Sequence, residues 1–164
     1  MLHSTGLAER IAFGRTVDPA TDTTIKVAQR PTTALVGRLL IASTFLVFGI
    51  GKLIDPTGTA SYMAGAGIPY AHTLAIVAGI AEVAGGLALG FGFLTRIGAL
   101  GLILFLIPTT LIFHAFWNLE GIQRQLQMVN FMKNLAIMGG LATVLAFGPS
   151  RYSIDKKIRE PRQP

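Results

Sequence analysis

The sequence predicts an all-α, polytopic membrane protein: an antiparallel bundle of four transmembrane helices with the N- and C-termini both on the cytoplasmic side (N-in, C-in). Three observations predict it. The chain has 164 residues, of which 51% are hydrophobic and only 13% charged, against about 25% charged in an ordinary soluble domain. It contains four apolar segments, each near the roughly 20 helical residues needed to cross a hydrocarbon core about 30 Å thick. Its lysines and arginines crowd toward one end of those segments.

Residues 1–32 form a cytoplasmic N-terminal segment. Met1 to Asp18 lacks the apolar core of about 7 to 15 residues that a secretory signal requires, so this end is expected to be retained. The segment mixes Thr, Asp, Pro and Ala and reads as partly disordered, with a short interfacial helix over Leu7 to Arg15. Residues 33–148 form the membrane domain. Its spans are read as about Thr33 to Leu53, His72 to Leu94, Arg96 to Trp117 and Asn130 to Phe147. The connection from Ile54 to Tyr70 carries Asp-Pro and several glycines and reads as a loop, Thr95 is nearly a bare turn, and Asn118 to Val129 is polar. Short connections make sequential helices antiparallel neighbours. Pro108 interrupts the backbone ladder of the third span, where Thr109 or Thr110 can satisfy the freed carbonyl. Residues 149–164 form a basic cytoplasmic tail, expected to lie along the membrane surface.

Orientation follows from the flanks, because cytoplasmic loops hold the excess of Lys and Arg. Arg10, Arg15, Lys26, Arg30, Arg96, Arg151, Lys156, Lys157, Arg159 and Arg162 fall on one side and only Arg124 clearly on the other, ten against one.

Composition excludes several classes of chemistry. No cysteine is present, so this chain supplies no thiol relay, thiolate zinc site or iron–sulfur ligand. A net charge of +6 would suit nucleic acid, yet most of the cations sit in the two tails, where they orient a membrane protein instead. No nucleic-acid partner is expected. His72 and His114 are too slight a basis for haem, and three histidines without a helical i, i+4 pair do not make a metal site. No strand precedes a glycine-rich loop, so no nucleotide site is expected, and the glycines serve helix packing.

The informative residues are charges within the spans, since a charge near the bilayer centre costs roughly 2.5 to 3.5 kcal/mol on insertion scales. Glu82 lies ten residues into the second span, about 15 Å from its end and near the midplane. Ala78, Gly79, Gly85 and Gly86 share its helical face, so it is expected to meet protein, with Gly86 and Gly90 allowing a close helix approach. Arg38 and Lys52 are fourteen residues apart, which returns them to within about 40° of one stripe through Phe45 and separates them by about 21 Å. Arg38 lies toward the cytoplasm and Lys52 toward the outside. Lys133 enters the fourth span beside Asn130 and Asn134, and His114 shares a face of the third with Thr110 and Trp117. Two readings stand side by side. In one, Lys52 and Lys133 snorkel to water, Trp117 anchors at the interface, and Arg38 and Glu82 pin helices together. In the other, Lys52, His114, Lys133 and Asn134 rim an outward pocket above Glu82. Quinone carbonyls suit such a rim, since cationic donors stabilise the negative charge that develops on reduction, and Glu82 is then a buried proton-relay acid.

Several pieces occur together: Arg38 followed by Phe45, Phe48, Gly49 and Lys52; Glu82 followed by Gly85, Gly86, Leu89 and Gly90; Thr95 and Arg96; Phe113, His114 and Phe116; Lys133, Asn134, Leu135 and Gly139. In this combination, over residues 33 to 148, the sequence resembles the DoxX family of small bacterial and archaeal membrane proteins. The family is named for a component associated with a terminal quinol oxidase, and its relatives include thiosulfate:quinone oxidoreductase subunits. The resemblance implies a quinone-linked or respiratory setting in the bacterial inner membrane.

The resulting expectation is a small membrane subunit of a quinone-linked oxidoreductase complex. It would position a quinone or relay protons, with no redox centre of its own, and would not be an enzyme alone. Membrane lipid and a larger membrane complex or homo-oligomer are the expected partners. A structural accessory subunit and a small-anion carrier are the alternatives.

Overall fold

The computed structural model describes residues 31–159. They form, in order, α1 (Pro31–Ile54), α2 (Pro56–Gly65), α3 (Ala71–Phe91), α4 (Thr95–Phe113), α5 (Gly121–Phe147) and α6 (Ile154–Arg159). Four of these, α1, α3, α4 and α5, are long and apolar enough to cross a membrane. α1 packs chiefly on α3, and α4 on α5, with α3 against α4 joining the two pairs. The buried apolar centre is small and includes Ala42, Phe45, Leu89, Leu102, Leu106 and Leu141. Large apolar side chains such as Leu40, Val47, Ile80, Ile97 and Leu104 point outward and are more than half exposed, a surface that lipid covers favourably.

The boundaries differ from the sequence reading in four places, each with a local cause. The expected loop after α1 contains α2, because Asp55 caps it by accepting the Thr57 N–H at 3.0 Å and Pro56 occupies the first turn, where its missing N–H costs nothing. α3 stops at Phe91, three residues early, since Gly92 takes the left-handed conformation at φ +67° and ends the helix. α4 ends at Phe113, short of Trp117. The Tyr62 hydroxyl of α2 donates to the Phe113 carbonyl at 3.0 Å and satisfies one of the acceptors that a helix terminus leaves open. α5 begins at Gly121, nine residues before Asn130, adding about 14 Å. Gln123, Gln125, Leu126 and Gln127 are polar or apolar but all good helix formers, and polarity there does not mean a loop. Beside Pro108, the Thr109 hydroxyl donates to the Phe105 carbonyl at 2.8 Å. The freed carbonyl is that of Leu104, so the expected repair is displaced by one residue. The proposed interfacial helix over Leu7 to Arg15 lies outside the described residues.

The tail folds back. Ser150 and Ser153 are buried, and α6 packs at the turn between α3 and α4. The beginning of α1, that turn and the end of α5 therefore share one end of the bundle, called here the tail end.

Candidate functional site

The charged stripe on α1 is present as a physical face. Arg38, Ala42, Phe45 and Gly49 are its buried residues, and Lys52 continues the line in the last turn. On α3 the buried face runs through Ala75, Ala78, Gly79, Glu82, Gly85, Gly86 and Leu89. The two faces meet where neither helix has a side chain. A Cβ on Gly49 would stand 2.9 Å from the Gly79 carbonyl and 2.9 Å from the Glu82 Cβ, so the backbones approach to direct contact. Lys52 and Glu82 lie one turn beyond each of these glycines. The Lys52 Nζ donates to Glu82 Oε2 at 2.7 Å, with side chains 19% and 8% exposed. The Phe48 ring lies 5.8 Å from the same ammonium, within cation–π range. Lys52 thus turns inward to Glu82, so that each charge has its partner across the α1–α3 interface.

Arg38 stands at the tail end, as expected, but its contacts are with the tail. Its Nη2 donates to the Tyr152 carbonyl at 2.8 Å and its Nη1 to Ser150 Oγ at 3.3 Å. Arg38 is 3% exposed, and its Nε has no hydrogen-bond partner among the described residues.

The remaining predicted site residues lie in separate pairs. His114 Nδ1 is 2.8 Å from Gln127 Oε1, and Gln127 Nε2 donates to the Tyr62 hydroxyl at 3.4 Å. Asn134 is buried and turns into the bundle, its Nδ2 donating to Thr110 Oγ1 at 3.1 Å. Lys133 is exposed and donates to Asn130 Oδ1 on its own helix at 3.0 Å. Among the described residues, no hydrogen bond joins Lys52, His114 and Lys133 to one another. Each makes its own contacts: Lys52 pairs with Glu82 between α1 and α3, and a His114–Gln127–Tyr62 chain links the end of α4 to α5 and α2. Phe116, Trp117 and Phe131 pack edge-on beside that chain, with ring centroids 5.5 to 6.1 Å apart.

Sequence reasoning missed Asp155. Its Oδ1 accepts from the Leu94 N–H at 2.9 Å, and its Oδ2 accepts from the Thr95 N–H at 2.9 Å and the Thr95 hydroxyl at 2.7 Å. Burial alone would push its carboxyl up, but the donors of Thr95 and Leu94 and the nearby Arg159 charge outweigh it, holding the group below the usual carboxylate range. The available signal was a lone acid among the cations of residues 150–159. Tyr62 and Gln127 carried no comparable signal. Among the described residues, no three His, Cys, Asp or Glu side chains cluster closely enough to hold a metal.

On the side of α3 turned toward α4 lies an apolar crevice of about 280 Å³, lined by Ala81, Ala84, Ala88, Gly98, Gly101 and Phe105 among others. It borders the α3 face that carries Glu82 at Gly85.

A family model described as DoxX matches residues 33–115. The chain is 33% identical over 130 residues to the inner membrane protein YphA of Escherichia coli strain K12, an alignment covering 79% of this chain and 93% of that protein. It is 39% identical over 126 residues to the inner membrane protein YqjF of the same organism, covering 77% of this chain and 92% of that one. No solved structure matches significantly.

Proposed function

The chain belongs to the DoxX family, and from that premise we propose that it is a multi-pass inner-membrane subunit of a quinone-linked or respiratory oxidoreductase complex. Its part is to position a quinone or to move a proton, while the partner enzyme supplies electrons. The observation that carries this reading is the Lys52–Glu82 pair at 2.7 Å within the α1–α3 interface. An ammonium and a carboxylate in hydrogen-bond contact exchange a proton readily once one of them is drawn toward a third group. A quinone carbonyl oxygen accepting from Lys52 Nζ is such a group. As two electrons arrive from the partner, the developing negative charge on oxygen is stabilised by the ammonium. Each of the two protons that the reduced quinone takes up is delivered through the pair and replaced from water, with Glu82 as the holding site. The chain needs no redox centre for either role.

Photo-crosslinking with an azido-quinone in purified, monodisperse protein tests the reading. Wild type should label within α1 or α3, Lys52→Ala and Glu82→Gln should lower the yield several-fold, and exposed Arg124→Ala serves as the unchanged control. Absent labelling, or labelling indifferent to both substitutions at the pair, sinks the proposal.

A second reading is favoured by the crevice between α3 and α4. It carries no charge and is floored by small residues, a surface on which a helix of a larger membrane complex can pack closely. In that reading the pair serves packing alone and the chain is a structural accessory subunit. Gly101→Leu would then release the partner complex, while Glu82→Gln would leave its activity intact once assembly is matched.

A further inference from the structure

We infer that residues 150–159 form a folded platform for the headgroups of anionic phospholipids, and not a loose basic tail. The described part of this segment holds the cations Arg151, Lys156, Lys157 and Arg159 and a single acid, Asp155. The acid attracts Arg159 through space, but its oxygens are not spent on a cation of the tail. Here it is turned into the bundle, its two oxygens taken by Leu94 and Thr95, and its own N–H donates to the Gly92 carbonyl at 2.9 Å. Arg38 holds the preceding residues through Tyr152 and Ser150. The Ser153 hydroxyl, 2% exposed as a residue, donates to the Ser150 carbonyl at 2.6 Å. Gly92 is required beneath it, since a Cβ there would stand 2.5 Å from the Ser153 Cβ.

The clasp leaves a sorted outer surface. Arg151, Lys157 and Arg159 are exposed, and between them Tyr152, Ile154 and Ile158 are 48%, 40% and 62% exposed. Phe91, Phe93 and Ile97, at the α3–α4 turn on which α6 packs, are exposed as well. A tyrosine and aliphatic residues interleaved with cations, at one end of the four spanning helices, match the boundary between acyl chains and phosphates. Charge complementarity selects the lipid: a phosphodiester with no compensating ammonium gains from the three cations, whereas a choline headgroup brings its own cation.

The test is the relative association of spin-labelled phosphatidylglycerol and phosphatidylcholine with the full chain in phosphatidylcholine nanodiscs. Wild type should favour phosphatidylglycerol several-fold. Neutralising Arg151, Lys157 and Arg159 together to Gln should bring the ratio to about one, with thermal stability in detergent unchanged because all three are exposed. Asp155→Ala separates a built platform from a loose tail: it adds net positive charge yet should lower the preference, since the cations are no longer held in place. Equal association in wild type, a preference that survives the triple substitution, or a preference that rises with Asp155→Ala would each overturn the inference.

Discussion

Lys52 and Glu82 meet across the α1–α3 interface at 2.7 Å, thirty positions apart in the chain, and one turn from the glycine contact that lets the helices touch. Each charge is tolerable only because the other is there. Removing one partner of a buried pair typically costs about 3 to 5 kcal/mol, since it strands the other charge, whereas replacing both with apolar groups of similar volume is often neutral or stabilising. Lys52→Met and Glu82→Leu should therefore each destabilise the bundle, and the double variant should recover most of the loss. Equilibrium unfolding in mixed micelles on sodium dodecyl sulfate titration measures this; additive losses in the double variant would contradict it.

The glycine contact sets a second expectation. A Cβ on Gly49 meets backbone, the Gly79 carbonyl at 2.9 Å, while one on Gly101 meets nothing within 4 Å. Backbone cannot step aside as a side chain can, so Gly49→Ala should cost on the order of 1 to 3 kcal/mol. Gly101→Ala should be neutral or gain up to about 1 kcal/mol from helix propensity. The same titration, run on both variants, reads the difference in sign.

Much of this arrangement was legible in the sequence, and the part that was not has a physical pattern. The four spans and the stripe through Arg38, Phe45 and Lys52 follow from hydropathy and a period of 3.6 residues, which act within one helix. The burial of Glu82 against protein followed from the small residues around it. What the sequence left open was pairing across helices. The Lys52–Glu82 contact was not legible because depth along the axis was known and side-chain direction was not, and a lysine reaches a turn either way. The helix over Gly121 to Val129 was hidden because hydropathy reports solvent, not backbone conformation. Asp155 was hidden because its partners, Leu94 and Thr95, are sixty-one and sixty positions away, and their N–H groups leave no mark in a sequence.

Asp155 gives a pH prediction. Its folded-state carboxyl sits below the usual range, so the folded state binds this proton less readily than the unfolded one. The stabilisation is then fully present above the unfolded value of about 3.9 and is lost as pH falls through the lower folded value. As a helix cap it should be worth about 1 kcal/mol. Asp155→Ala should lower stability by that amount at neutral pH and converge with wild type in strong acid. Hydrogen exchange at Leu94 and Thr95 should speed up in the variant under neutral conditions. A constant gap between the two proteins down to the acid limit would assign the effect to packing and not to the carboxylate.

The direction of insertion is the last expectation, and the fold concentrates the reasons for it. Asp155 binds the α3–α4 turn and Arg38 binds Tyr152, so the beginning of α1, Arg96 and the basic tail lie at one end. The sequence before Pro31 adds Arg10, Arg15, Lys26 and Arg30. Arg124, near the start of α5, lies toward the other end. Translocating the tail end would carry all of these cations across the membrane, whereas retaining it leaves chiefly Arg124 to cross, and the bias in Lys and Arg sets orientation in such short flanks. The chain has no cysteine, so single substitutions report without background. In intact spheroplasts Leu119→Cys should react with a membrane-impermeant maleimide, and Ile158→Cys should react only after lysis. The reverse pattern would invert the bundle and place the clasped tail outside, and equal labelling at both positions would mean mixed insertion.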